Sequence, residues 1–234
     1  MRVSRIAVAC LGLFVAACTC ALGVWQVERR TWKLALIAQV EARIHAAPEP
    51  LPPPSTWPGV TAEQDAYRRV KVTGTFDHAC ETHVQALTEL GAGSWVVTPL
   101  LTDQGAVLVN RGYVPAERRD SKTREGAQTQ GSVTVTGLIR MTEPNGGFLR
   151  TNDPAAGRWY SRDVGAIARA CHGLVAAPFF IDADATPNPG GFPIGGLTVV
   201  SFQNSHLGYA ITWFTLAILS LAGTVLMLRA EASR

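Results

Sequence analysis

"NSHLGYAITWFTLAILSLAGTVLML", residues 204–228, decides how this chain has to be read. From Leu207 to Leu228 it runs for 22 residues without a charged side chain. At ~1.5 Å per residue such a helix reaches about 33 Å, enough to cross a hydrocarbon layer of about 30 Å. A second stretch of the same kind, IAVACLGLFVAACTCALGVWQV, occupies Ile6 to Val27. Core helices of soluble proteins rarely run this far without a polar face. The first stretch shares features with a secretory signal: Arg2 and Arg5 ahead of it, small residues near Cys20, and VAAC at 15–18, which resembles a lipoprotein cleavage box. It continues past Cys18 to Val27, however, and ends in Trp25, Trp32 and a basic cluster, as an anchored helix does at the membrane interface. The sequence therefore predicts two spans with a large segment between them.

Charge orients that arrangement. Between Glu28 and His206 there are 17 Lys+Arg and 17 Asp+Glu, so the net charge of +3 sits in the tails, on Arg2, Arg5, Arg229 and Arg234 against Glu231. Basic tails favour the cytoplasmic or matrix side, which puts both termini there and the intervening domain outside. Arg29, Arg30 and Lys33 follow the first span on the opposite side, so the signal is mixed at that end. A neutral domain gives no footprint for nucleic acid. Of the five cysteines, Cys10, Cys18 and Cys20 lie in the first span. Cys80 and Cys171 lie in the domain and could pair in an oxidising compartment, which sequence alone leaves open.

Patterning divides the chain into a tail (1–5), a span (6–27), a helical extension (28–47), a Pro-rich linker (48–66), a β-rich domain (67–203), a second span with its entry motif (204–228) and a tail (229–234). WQVERRTWKLALIAQVEARIHAA keeps a helical rhythm to about His45, and PEPLPPPSTWPG (48–59) then forbids helix. YRRVKVTGTF, THVQAL, SWVVTPLL, AVLVNRGYV, SVTVTGLIR, APFFIDA and LTVVSF alternate or run apolar as strands do, separated by turn residues. VGAIARACHGL (164–174) reads as one short helix. The expected fold is a mainly antiparallel β domain, barrel- or sandwich-like, flanked by two transmembrane helices. VKVTG (70–74) and VTVTG (133–137) recur 63 residues apart and suggest two related halves.

Three constellations can carry chemistry. Trp25, Arg29, Trp32 and Leu36 share one helical face, placing a guanidinium between two indoles, with Gln26 and Lys33 beside the stripe. An interfacial belt of Trp and snorkelling cations accounts for the same residues. His206, Tyr209 and Trp213 share a face at the entry to the second span, where an imidazole can ligate a metal and aromatic rings can flank a flat molecule. Both sets meet the same bilayer surface. Small residues Gly12, Ala16 and Cys20 on one helix, with Gly208 and Thr212 on the other, would allow close approach. Arg29, Arg30 and Lys33 could form an anion site at the membrane surface, and an imidazole, aromatic walls and basic groups suit a haem, with iron on His206 and propionates on Arg or Lys. The third set is DHACETH (77–83), where His78, Cys80 and His83 form a three-ligand copper or zinc candidate. Asp182 and Asp184, before TPNPGG, read as turn initiators. No nucleophile elbow, phosphate loop or paired catalytic carboxylates stand out.

LGVWQVERRTWKLALI (22–37), YRRVKVTGTF (67–76), VVTPLLTDQGAVLVNRGYVP (96–115) and NSHLGYAITWFTLA (204–217) together resemble the surfeit locus protein 1 family, across nearly the whole chain. The resemblance implies a two-span protein that assists assembly of haem–copper cytochrome c oxidase and is not an enzyme. It further implies haem A as a transient cofactor, and as partners the oxidase's catalytic subunit, other assembly factors and the lipid membrane. His206 becomes the candidate axial ligand, and Trp25, Gln26, Arg29, Trp32 and Lys33 become candidates to lie near the haem. The short amino terminus points to a bacterial inner membrane. DHACETH lies outside the family pattern. The competing expectations are a scaffold without cofactor and a metallochaperone using His78, Cys80 and His83.

Overall fold

The computed structural model describes residues 5–124, 126–200 and 202–232. The chain divides into two units, residues 1–39 with 200–234, and residues 40–199, and each is described in turn.

The first unit pairs α1 (Arg5–His45), up to Gln39, with α4 (His206–Ala232). Both helices are long and apolar enough to cross a membrane. They run antiparallel, with Gly12 facing Thr224, Gly23 facing Phe214 and Gln26 facing His206. The seam recurs at spacings of four, seven and three residues on each side: Gly12, Ala16, Gly23 and Gln26 against His206, Ala210, Ala217 and Ser220. Two apolar surfaces in lipid gain little from hydrophobic burial, so the pair depends on close backbone approach and on hydrogen bonds. A methyl group on Gly12 would stand 1.8 Å from Thr224 Oγ1, and one on Gly23 would stand 2.7 Å from the Phe214 ring. Ser220 Oγ donates to the Gly12 carbonyl at 3.1 Å. Of the small residues expected at the seam, Gly12 and Ala16 are there. Cys20 and Thr212 are exposed, and Gly208 has open space beside it. Helix rotation is the reason: the buried rows pass through Ala210 and Ala217 instead.

The second unit is a β barrel with additions. Its elements are β1 (Glu49–Pro50), α2 (Ala62–Asp65), β2 (Arg69–Phe76), β3 (Thr82–Thr88), β4 (Gly91–Thr102), β5 (Gly105–Pro115), β6 (Ser132–Met141), α3 (Val164–Ala170) and β7 (Ala176–Ala183). The sheet order is β1-β2-β6-β7-β5-β4-β3, and an extra β2–β4 pairing at Thr75–Leu101 and Phe76–Leu100 closes five of the strands into a ring. Most ladders are antiparallel, and β5–β7 and β1–β2 are parallel. Val70, Val72, Leu100, Val107, Val109, Ile139, Phe179 and Ile181 fill one core. Leu108 and Phe180, which point the other way from the same strands, pack with Val84, Val97, Trp159 and Ile167 of α3. Because both faces of β5 are covered, it reads as a nearly unbroken apolar run.

Two expectations change and the linker gains detail. LTVVSF is not a strand: residues 197–200 and 202 have no regular structure. The Pro-rich linker packs against the barrel and holds a 3-10 turn at Pro54–Gly59. Its β1 pairs with β2, Leu51 joins the barrel core, and Trp57 meets Phe179 edge-on at 6.2 Å while its Nε1 donates to the Pro52 carbonyl. The VKVTG and VTVTG repeat marks ladder partners and not two halves: Val72 pairs with Val135 and Thr73 with Thr134, whose hydroxyls lie 2.9 Å apart.

Candidate functional site

In the first unit, His206 opens α4, and its Nδ1 lies 2.7 Å from Oε1 of the buried Gln26 on α1. An amide oxygen can only accept, so Nδ1 carries the proton and donates. Nε2 is then the nitrogen with the free lone pair, and the ring's hydrogen bond among the described residues is the one through Nδ1. This is the arrangement that metal-ligating histidines use: one nitrogen held by an oxygen acceptor, the other presented. The half-buried Trp213 lies two turns along α4 on the same face. On α1, the half-buried Arg30 and Lys33 continue the face of Gln26, and Lys33 Nζ stands 5.5 Å from the Phe202 ring.

The expected aromatic stripe is displaced from this seam. Trp25 and Trp32 are 53% and 51% exposed, and Tyr209 is 58% exposed. At about 100° per residue, Trp25 lies roughly one quarter turn from Gln26, and Trp32 about 120° to one side. Arg29 stacks on Trp32 at 4.0 Å and is not sandwiched by both indoles. The structure thus joins His206 to Gln26, and places Trp213 two turns further along α4 and Lys33 two turns further along α1. Trp25, Arg29, Trp32 and Tyr209 are on outward faces. Gln26 was a bystander in the pattern because nothing in a sequence says which of two adjacent helix positions turns inward.

In the second unit, DHACETH does not assemble a metal site. Cys80 is in a disulfide with Cys171, Cα–Cα 5.5 Å, so its sulfur offers no thiolate. His78 Nε2 lies 3.0 Å from the Thr129 carbonyl, and His83 Nε2 lies 3.2 Å from Glu81 Oε1. Asp77 lies beside the same disulfide, within 4.8 Å of both sulfurs, and a lone carboxylate there completes no metal site. The ligand reading of His78, Cys80 and His83 is therefore corrected: oxidation removes the soft ligand that the set required.

Two buried ionic clusters escaped the sequence. Asp182, expected to initiate a turn, sits inside the domain and accepts from Asn110 Nδ2 (2.8 Å), Arg140 Nη1 (2.9 Å), Arg162 Nη1 (3.1 Å) and Thr198 Oγ1 (3.1 Å). Burial pushes the nearby Glu143 carboxyl up, but the Arg162 fork outweighs this and holds it below the usual range. In the other cluster, burial likewise pushes Glu81 up, and the His83 and Arg124 side chains more than offset it, leaving its pKa at about 2. Arg111, 1% exposed, is lowered to about 10, chiefly by burial and also by Arg124, against the opposing pull of Glu81. The signal that could have revealed these clusters is a charged residue inside a fully apolar strand, as in APFFIDA and AVLVNRGYV.

These features define a class: a five-stranded β barrel carried between two apolar helices, with an imidazole held at the helix seam. The profile of the SURF1 family matches residues 13–218, and the chain belongs to that family. It is 39% identical to surfeit locus protein 1 of Rattus norvegicus over 221 residues, which cover 87% of this chain and 70% of the relative. It is also 39% identical to surfeit locus protein 1 of Homo sapiens over 214 residues, covering 84% and 69%. A SURF1-like protein of Monosiga brevicollis is 38% identical over 237 residues, covering 95% and 88%.

Proposed function

We propose that this chain is an assembly factor for haem–copper cytochrome c oxidase that holds haem A at the membrane surface and passes it to the catalytic subunit. One observation carries the reading: His206 Nδ1 is committed to Gln26, which leaves Nε2 free as an axial ligand at the end of the span. Family membership supports the oxidase as client. The residues fit the cargo chemically, with His206 as ligand, Trp213 as an apolar wall, and Arg30 and Lys33 as cations for propionates. A single protein ligand suits a carrier, which has to release what it holds. Basic tails support a topology with both termini on the cytoplasmic or matrix side of the membrane and the barrel on the other.

The scaffold reading draws on the outward Trp25, Trp32 and Tyr209, which anchor without binding anything. The two readings part in one experiment. Full-length protein is purified from cells that make haem A, and its haem content is compared with that of His206→Ala after crosslinking to oxidase subunits. Haem in the wild type and its loss in the variant support the carrier. Crosslinked oxidase subunits with no haem in either protein support the scaffold.

A further inference from the structure

Among the described residues, Arg111 and Arg124 are both buried beside one carboxylate, Glu81. Arg124 Nη2 donates to Glu81 Oε1, while Arg111 Nη1 stands 3.7 Å from Glu81 Oε2, beyond hydrogen-bond reach. Arg111 Nη2 donates to the Ala127 carbonyl. Nε and Nη1 of both arginines have no hydrogen-bond partner among the described residues. Neighbouring His78 and His83 can add only positive charge, and Asp184 is already engaged at 3.6 Å by Arg69. Among the described residues the cluster therefore holds one more buried cation than anion, with several N–H groups unsatisfied. Buried polar groups of native proteins are nearly always paired, so an orphaned guanidinium asks for a partner that is not part of the chain.

The place for one adjoins it. The Arg111 guanidinium lies 4.7 Å over the Phe76 ring, and both residues line a cavity of about 200 Å³. Val109, Val133 and Val135 give that cavity an apolar wall. Its volume equals that of about seven waters in the liquid.

We propose that this cavity binds a small monocarboxylate, its apolar body against Val109, Val133 and Val135 and its carboxylate paired with Arg111. Water alone would satisfy N–H groups but would leave the excess charge and wet an apolar wall. A planar carboxylate matches the two-pronged guanidinium and neutralises it. A phosphate would bring a second charge and a hydration shell that valines cannot replace. This site is independent of the haem reading, since it lies wholly within the barrel unit.

The test is a 19F NMR titration of 4-fluorobenzoate into full-length protein in phosphatidylcholine nanodiscs, with 4-fluorobenzyl alcohol as the neutral control. Saturable binding of the benzoate, at least tenfold tighter than the alcohol, is expected. Arg111→Gln should weaken it at least tenfold. Val133→Phe, which fills the cavity at a half-buried position and leaves Arg111 in place, should do the same and decides the matter if Arg111→Gln fails to fold. No saturable binding in the wild type, equal binding of the alcohol, or undiminished binding in Val133→Phe would overturn the proposal.

Discussion

The imidazole of His206 and the amide of Gln26 are joined across the helix seam at 2.7 Å, 180 residues apart in sequence. The bond fixes which ring nitrogen is protonated and which is free, and so links the packing of two apolar helices to the ligand chemistry of one side chain.

On the proposed function, removing that support should weaken the ligand without deleting it. Gln26→Ala should lower haem affinity by about tenfold or more, the usual effect of losing a partner that orients a ligating histidine. Gln26→Glu, which still accepts from Nδ1, should retain more. Titration of the purified variants with haem, followed by absorbance, checks the order wild type, Gln26→Glu, Gln26→Ala.

The seam itself depends on absent side chains. Gly23→Leu would drive a side chain into the Phe214 ring, and overpacking of this kind costs about 1–3 kcal/mol. Spin labels at the exposed Val24 and Ile211 should report a longer and broader distance distribution in Gly23→Leu than in the parent. An unchanged distribution would mean that the helices do not meet along this face.

Much of this architecture was legible in the sequence, for identifiable reasons. Lipid leaves no ambiguity about a 22-residue apolar run, and strands covered on one face alternate visibly at Val70, Val72 and Phe76. What stayed hidden depends on geometry in the third dimension. Trp25 and Gln26 are neighbours in sequence, and only the rotation of α1 decides that the glutamine meets His206 while the indole faces outward. Asp182 looked like a turn residue because its partners, Asn110, Arg140 and Arg162, come from elements far along the chain. The VKVTG and VTVTG echo was visible but misread: strands that pair have similar patterns because they share a sheet face.

The disulfide makes a countable claim. Of five cysteines, Cys80 and Cys171 are joined, and Cys10, Cys18 and Cys20 are free. Thiol titration of the denatured, unreduced protein should find three groups. Cys80→Ser should lower barrel stability by about 2–4 kcal/mol, since the bond closes a long loop. Thermal unfolding with and without reductant measures the same effect in the parent, and Cys80→Ser should be insensitive to reductant.

Acid should loosen the barrel in a defined window. Glu81 has its pKa depressed to about 2 in the folded chain, from 4.5. A depressed carboxylate contributes stability above its unfolded pKa and loses it as pH falls through the folded one. A contribution of about 3 kcal/mol should therefore fade between pH 4.5 and about 2. Glu81→Gln should be less stable at neutral pH and flatter through that window, as read by denaturant unfolding at a series of pH values.

The central claim is that His206 Nε2 is the protein's own ligand to haem. The most direct measurement is the visible spectrum of haem-loaded His206→Gly, recorded with and without added imidazole. The account predicts that the wild-type Soret band is lost in the variant and restored by imidazole, which occupies the space the side chain vacated. A variant that keeps the wild-type band without imidazole would contradict it.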